Sequence, residues 1–200
     1  IRALELHCES VETFCAHVPG LKVVIPSHPY DAKGLLISAI RDPDPVIFLE
    51  PMRVYRAIKE EVPDGDYTVP IGKAEVEQEG SDLTVISYGA MLKYTKEALE
   101  KSDYSAEIID VRTIKPLDEE TIIKSVEKTG RCVIVNEAPK TCGFAAEIIA
   151  RINEKAFFSL EAPIERVTGY DVGFPFAKLE NYYLPDEKRI LKAVNKVMMQ

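Results

Sequence analysis

The chain has 200 residues, 46% of them apolar and 29% charged, with 33 acidic against 25 basic side chains and a net charge of −8. That supplies one large core, or a large and a small one. The acidic balance, with Lys and Arg scattered, excludes the basic stripe that nucleic-acid binding needs. No apolar run approaches the ~18 residues of a membrane span, and no secretory leader is visible. Neither nucleic acid nor membrane is therefore an expected partner.

Cys8, Cys15, Cys132 and Cys142 contain no CxxC pair, so reduced thiols are expected. That places the protein in the cytoplasm, or in the mitochondrial matrix if the source is eukaryotic. The chain opens on Ile1 without an initiator Met, as a processed or truncated piece would.

In chain order, 10–17 reads as a short helix with Ser10 as its N-cap, stopped by Pro19-Gly20. The continuous apolar run 21–26 reads as a buried parallel strand. Pro29 opens a helix over 30–42, whose Ala32, Leu35, Leu36, Ala39 and Ile40 fall at helical spacing. A second buried strand at 45–50 completes a strand–helix–strand crossover. Residues 51–72 mix charges with Pro63, Gly65, Pro70 and Gly72 and keep no period, as a linker would.

A second α/β unit begins at 73. An alternating edge strand is followed by a buried strand at 82–89, a helix at 90–102 and a strand at 106–113. Asp118 caps a helix that ends at Gly130, then come a strand at 132–138 and a helix at 143–157. A strand at 164–171 closes the sheet, and Asp186 caps the last helix. The fold class is α/β, with mostly parallel sheets and flanking helices.

Two of the three histidines lie in HCESVETFCAHVPG, residues 7–20, beside Cys8 and Cys15. A zinc site is disfavoured, because Cys15 and His17, two apart, face different sides of a helix. A Cys–His hydrolase would need a base and an orienting group that spacing does not reveal. Gly143 before a helix could offer N–H groups to an anion. Glu50 and Glu137 end strands, at the edge where open α/β sheets place ligands, although solvated strand ends often carry carboxylates. These features alone do not name a reaction.

The run HCESVETFCAHVPGLKVVIPSHPYDAKGLLISAIRDPDPVIFLEP resembles the beta subunit of the thiamine-diphosphate-dependent 2-oxoacid dehydrogenases, their E1 component. The likeness continues through Gly72-Lys73-Ala74, Asp110-Val111-Arg112-Thr113-Ile114, Pro116-Leu117-Asp118 and the run from Ser125 to Arg131, and covers essentially the whole chain. It implies the back part of a pyrimidine-binding (thiamine-diphosphate-binding) domain over 1–58, a linker at 59–72 and a transketolase C-terminal-like domain over 73–200. It further implies an α2β2 heterotetramer with an E1 alpha subunit, and thiamine diphosphate and Mg2+ shared between the chains. Decarboxylation of a 2-oxoacid would be followed by acyl transfer to the lipoyl domain of E2, whose subunit-binding domain would dock on the C-terminal unit.

By the same resemblance His7 stands at the family's catalytic histidine. A potassium ion would be held at Ala39, Asp42 and Asp44, mainly through backbone carbonyls. The cofactor contacts are expected upstream of Ile1, so this chain alone is expected to bind thiamine diphosphate poorly and to be inactive. Cys8, Glu9 and Asp44 depart from the residues common at their positions. The motifs at Glu137-Ala138-Pro139 and Gly169-Tyr170-Asp171 lean toward branched-chain 2-oxoacids, whereas the run from Val54 to Ala74 is also like bacterial pyruvate enzymes. Two other readings stand beside these: a non-catalytic E2-docking fragment, and a piece of a single-chain transketolase-like enzyme.

Overall fold

Val-Val-Ile after Gly20 is buried as expected, but β1 spans only Lys22–Val24, since Pro26 has no N–H to continue a ladder. The computed structural model describes residues 5–200, so residues 1–4 of the first expected unit lie outside the described residues. A 3-10 turn at Glu5–Cys8 leads into α1, Glu12–His17. Ser10 is not its cap: Val11 holds that position and makes no side-chain cap. The first helical residue, Glu12, turns inward instead and is buried.

Helix α2 runs Pro29–Arg41 with proline in its first turn and returns the chain to β2, Val46–Phe48, which pairs parallel with β1. Beyond a 3-10 turn at Met52–Val54, residues 55–74 hold no regular element but lie against α2: Tyr67 stacks on Tyr30 at 4.5 Å, and Val69 is buried with Leu35 and Val24.

The second unit has strands β3 (Glu75–Gln78), β4 (Leu83–Ser87), β5 (Ala106–Asp110), β7 (Cys132–Val135) and β8 (Glu165–Val167), with β6 (Thr113–Lys115) set apart. The larger sheet has the order β3-β5-β4-β7-β8, parallel except for the edge strand β3. Helices α3 (Ala90–Leu99) and α7 (Glu187–Met198) pack with Leu83, Val85 and Val133 on one face. Helices α4 (Glu119–Thr129) and α5 (Phe144–Ala156) pack with Ile86, Ile109 and Ile134 on the other. Alternate residues of each central strand thus face opposite helical layers, and every position in β4 and β5 is buried. A short helix, α6 (Glu180–Tyr183), lies between β8 and α7. Asp118 and Asp186 cap α4 and α7, accepting from the N–H groups of Thr121 and Arg189, and Gly130 ends α4 in the left-handed conformation.

The single strand expected over 106–113 divides. It leaves the large sheet after Asp110, turns at Arg112 with φ +53°, and re-enters as β6, antiparallel to β1. The small sheet β2-β1-β6 therefore contains strands from both halves of the sequence. The Arg112 guanidinium holds this junction, reaching Asp31 at 3.1 Å and Glu75 at 2.7 Å.

Candidate functional site

Parallel strands leave their carboxyl ends open to ligands where neighbouring connections diverge. Here β2, β4 and β7 end beside the segment 7–12. His7, Cys8, Glu9 and Glu12 line a cleft of about 480 Å³ together with Glu50 and Arg53 beyond β2, Glu137 beyond β7, and Phe174 beyond β8. His7 is exposed at this cleft, whereas Glu12 is buried. The Tyr88 hydroxyl, at the end of β4, donates to Glu12 Oε1 at 2.9 Å. Glu9 Oε1 accepts from the Phe174 backbone N–H at 2.9 Å and so fastens the loop after β8 to the His7 segment. The Phe174 ring meets Tyr183 edge-on at 5.0 Å, and the Tyr55 hydroxyl donates to Glu50.

Burial dominates the electrostatics. It raises the Glu12 carboxyl above the usual range, against the lowering effects of its own backbone N–H and of Tyr88. Burial, then the nearby Glu12 carboxylate, pushes Glu137 up to about 7, with Arg53 acting in the opposite direction. The Tyr88 phenol is driven well above its ordinary value by burial and then by Glu12, so it stays a donor. A carboxyl that titrates near neutrality can both hold and release a proton, and it shares this cleft with an imidazole.

His7, Glu50 and Glu137 were visible in the sequence as separate candidates, and the structure brings them together. Glu12, Arg53 and Tyr88 were not singled out. Glu12 reads as an ordinary first-turn acid and Tyr88 as the end of a strand; only the position of Tyr88 at a carboxyl edge was a usable signal. His7, Cys8, Cys15 and His17 do not gather into a ligand cluster among the described residues, and all four cysteines are free. Gly143 has a local reason: a Cβ there would lie 2.5 Å from the Pro139 carbonyl. At the expected potassium position, Ala39 and Asp42 lie at the end of α2, and the Lys22 ammonium pairs with Asp42 at 2.7 Å and Asp44 at 3.0 Å. The two carboxylates thus already have a cation partner. Among the described residues no helix is long and apolar enough to cross a membrane.

Residues 72–190 match the family model "Transketolase, C-terminal domain", and residues 2–58 match "Transketolase, pyrimidine binding domain". The chain belongs to the transketolase family. Within it, the chain is 54% identical over 197 residues to the pyruvate dehydrogenase E1 component subunit beta of Bacillus subtilis (strain 168), covering 97% of this chain and 61% of that protein. It is 52% identical over 200 residues to the corresponding subunit of Acholeplasma laidlawii, covering 98% of this chain and 61% of that one. A solved chain described as a split gene transketolase, in an inactive beta4 tetramer, superposes with a TM-score of 0.77 at 25% identity, over 94% of this chain and 60% of its own. This transketolase-family chain thus spans about three-fifths of the length of the relatives it matches. The cleft draws on both matched regions: His7 to Arg53 come from one, Glu137 and Phe174 from the other.

Proposed function

We propose that this chain is the beta subunit of the E1 component of a 2-oxoacid dehydrogenase complex, working with an E1 alpha subunit on pyruvate. The observation that carries this reading is identity of 51–54% to pyruvate dehydrogenase E1 beta subunits over 97% of the chain. The branched-chain preference expected from the Glu137 and Gly169 motifs finds no support among those relatives, and pyruvate is the better-supported substrate.

The charged cleft lining among the described residues is mainly carboxylate, with Arg53 its one guanidinium. That set fits proton handling and does not fit a diphosphate, which needs cationic or N–H donors. Thiamine diphosphate and its Mg2+ are therefore proposed to be held chiefly by residues outside this set, the alpha subunit's included. The cofactor supplies the electron sink for decarboxylation. His7, at the cleft, would deliver or accept the proton when the acyl group passes to the lipoyl domain of E2, a task suited to imidazole near neutral pH. Glu137 would serve as a proton reserve behind it, and Glu9 would hold the loop that forms the cleft wall.

Dependence on a partner is supported by the apolar groove of Leu36, Ile37, Ile40, Phe48, Val54 and Ile58, in which Ile40 is 76% exposed. The likeness to a split transketolase described as inactive points the same way. The subunit-binding domain of E2 is a further proposed partner, and the four free thiols suit a reducing compartment such as the cytoplasm. A potassium ion at Ala39, Asp42 and Asp44 would have to bind through backbone carbonyls, beside the Lys22 pairs.

The test co-expresses the protein with its alpha subunit and follows artificial-acceptor reduction with pyruvate and with 3-methyl-2-oxobutanoate, beside acyl transfer to lipoyl domain. We expect pyruvate to be preferred, and His7→Ala to keep acceptor reduction while losing transfer by ~100-fold or more. Preference for the branched acid overturns the substrate assignment. Full transfer by His7→Ala overturns the role of His7.

A further inference from the structure

Away from the cleft, His28 follows β1, Glu77 lies on β3 and Asp110 ends β5. The ligand atoms of these three side chains lie within 4.8 Å of one another. Asp110 is 0% exposed; its Oδ1 accepts from the Arg112 N–H at 3.3 Å, while its Oδ2 makes no hydrogen bond among the described residues. The buried Ser27 hydroxyl is near enough to favour the ionised carboxylate, yet it too lacks hydrogen-bond geometry. His28 Nε2 stands 3.1 Å from Glu77 Oε1, again without the alignment of a hydrogen bond. The other oxygen, Glu77 Oε2, is taken by the Lys96 ammonium at 2.9 Å, which fixes the carboxylate and leaves Oε1 directed at His28. A nitrogen and two carboxylate oxygens therefore converge: His28 and Glu77 stand within ion-pair distance of each other, while the buried Asp110 Oδ2 has no hydrogen-bond partner among the described residues, which is costly.

We propose that His28, Glu77 and Asp110 form a binding site for a divalent transition-metal cation that staples the two sheets together. One imidazole and two carboxylates suit borderline cations such as Zn2+, Co2+ or Mn2+. Bonds of about 2.0–2.2 Å set neighbouring ligand atoms ~3–4 Å apart, so small side-chain rotations close the present spread. None of the three residues lines the cleft of His7. His28 does border the apolar groove of Leu36 and Ile40, so the site is separate from the chemistry of the His7 cleft but adjoins the surface proposed above to meet a partner.

The test is titration of the whole chain, without an affinity tag, with Co2+, followed by calorimetry and by absorbance. The absorbance separates this site from Cys8 and Cys15, because thiolate ligation gives an intense charge-transfer band that nitrogen and oxygen ligands do not. We expect one equivalent bound without that band, and a rise in the unfolding temperature on binding. His28→Ala and the nearly isosteric Glu77→Gln should each weaken binding at least tenfold and abolish that rise, with circular dichroism reporting that both remain folded. Absence of binding in the wild type, a thiolate band, or equal affinity in both variants would overturn the proposal.

Discussion

The Tyr88 hydroxyl donates to Glu12 at 2.9 Å across 76 residues of sequence, and both side chains are buried. This bond ties the segment that carries His7 to the carboxyl end of β4 in the larger sheet. Removing it leaves a buried carboxyl short of a donor, which costs more than the bond itself is worth. Tyr88→Phe is expected to lower stability by about 1–2 kcal/mol in urea unfolding. It should also lower lipoyl acylation in the assembled enzyme without changing acceptor reduction. Wild-type stability would show that the bond does not order the segment.

Glu137 gives the folding equilibrium a pH dependence. Its carboxyl is pushed up to about 7, whereas a glutamate in the unfolded chain titrates near ~4.3. Between those values the folded chain holds a proton that the unfolded chain has released. The contribution to stability is complete below pH ~4 and is lost as pH rises through about 7. Glu137→Gln should therefore be more stable than wild type by ~1–2 kcal/mol at high pH, a figure reduced for partial exposure, and equal to it near pH ~4. A constant difference across that range would place the titration elsewhere.

Arg112 is the charge that the junction of the sheets depends on. It faces Asp31 and Glu75 and donates to the Lys73 carbonyl at 3.3 Å. Burial raises the Asp31 carboxyl, and Arg112 opposes that rise. Arg112→Ala leaves Asp31 buried without its cation and should cost ~3 kcal/mol or more. Adding Asp31→Asn should recover much of that loss, and denaturant midpoints of the single and double variants measure the coupling. Strict additivity would mean that the pair is not coupled.

Gly34 sits where α2 meets the irregular segment beyond β2. A Cβ there would stand 2.5 Å from Val69 Cγ2, 2.9 Å from Tyr67 Cε2 and 3.0 Å from the Val69 backbone nitrogen. The side chains can shift, but the backbone has less room to do so. Gly34→Ala, which ordinarily favours a helix, should here destabilise by about 1–3 kcal/mol. Faster proteolysis within 59–68 should accompany the loss; a gain in helix stability would show that the segment packs loosely.

The alternation of apolar runs and helical spacing determined the α/β class, the crossover at 21–50, and the caps at Asp118, Gly130 and Asp186, because these depend on neighbours in sequence. The capping reading of Ser10 failed, since the inward turn of Glu12 toward Tyr88 is a long-range contact that local propensity does not contain. The division of 106–113 into β5 and β6 was hidden for a similar reason: Arg112 adopts a left-handed backbone angle within a junction that only its distant partners Asp31 and Glu75 explain. The resemblance singled out His7, but the gathering of Glu12, Glu137, Tyr88 and Arg53 around it, and the convergence of His28 with Glu77 and Asp110, required the sheets to be assembled. Spacing in sequence sets what one helix or strand presents. Which side chains share a buried space, and so which carboxyls are desolvated, is decided only when separate elements pack.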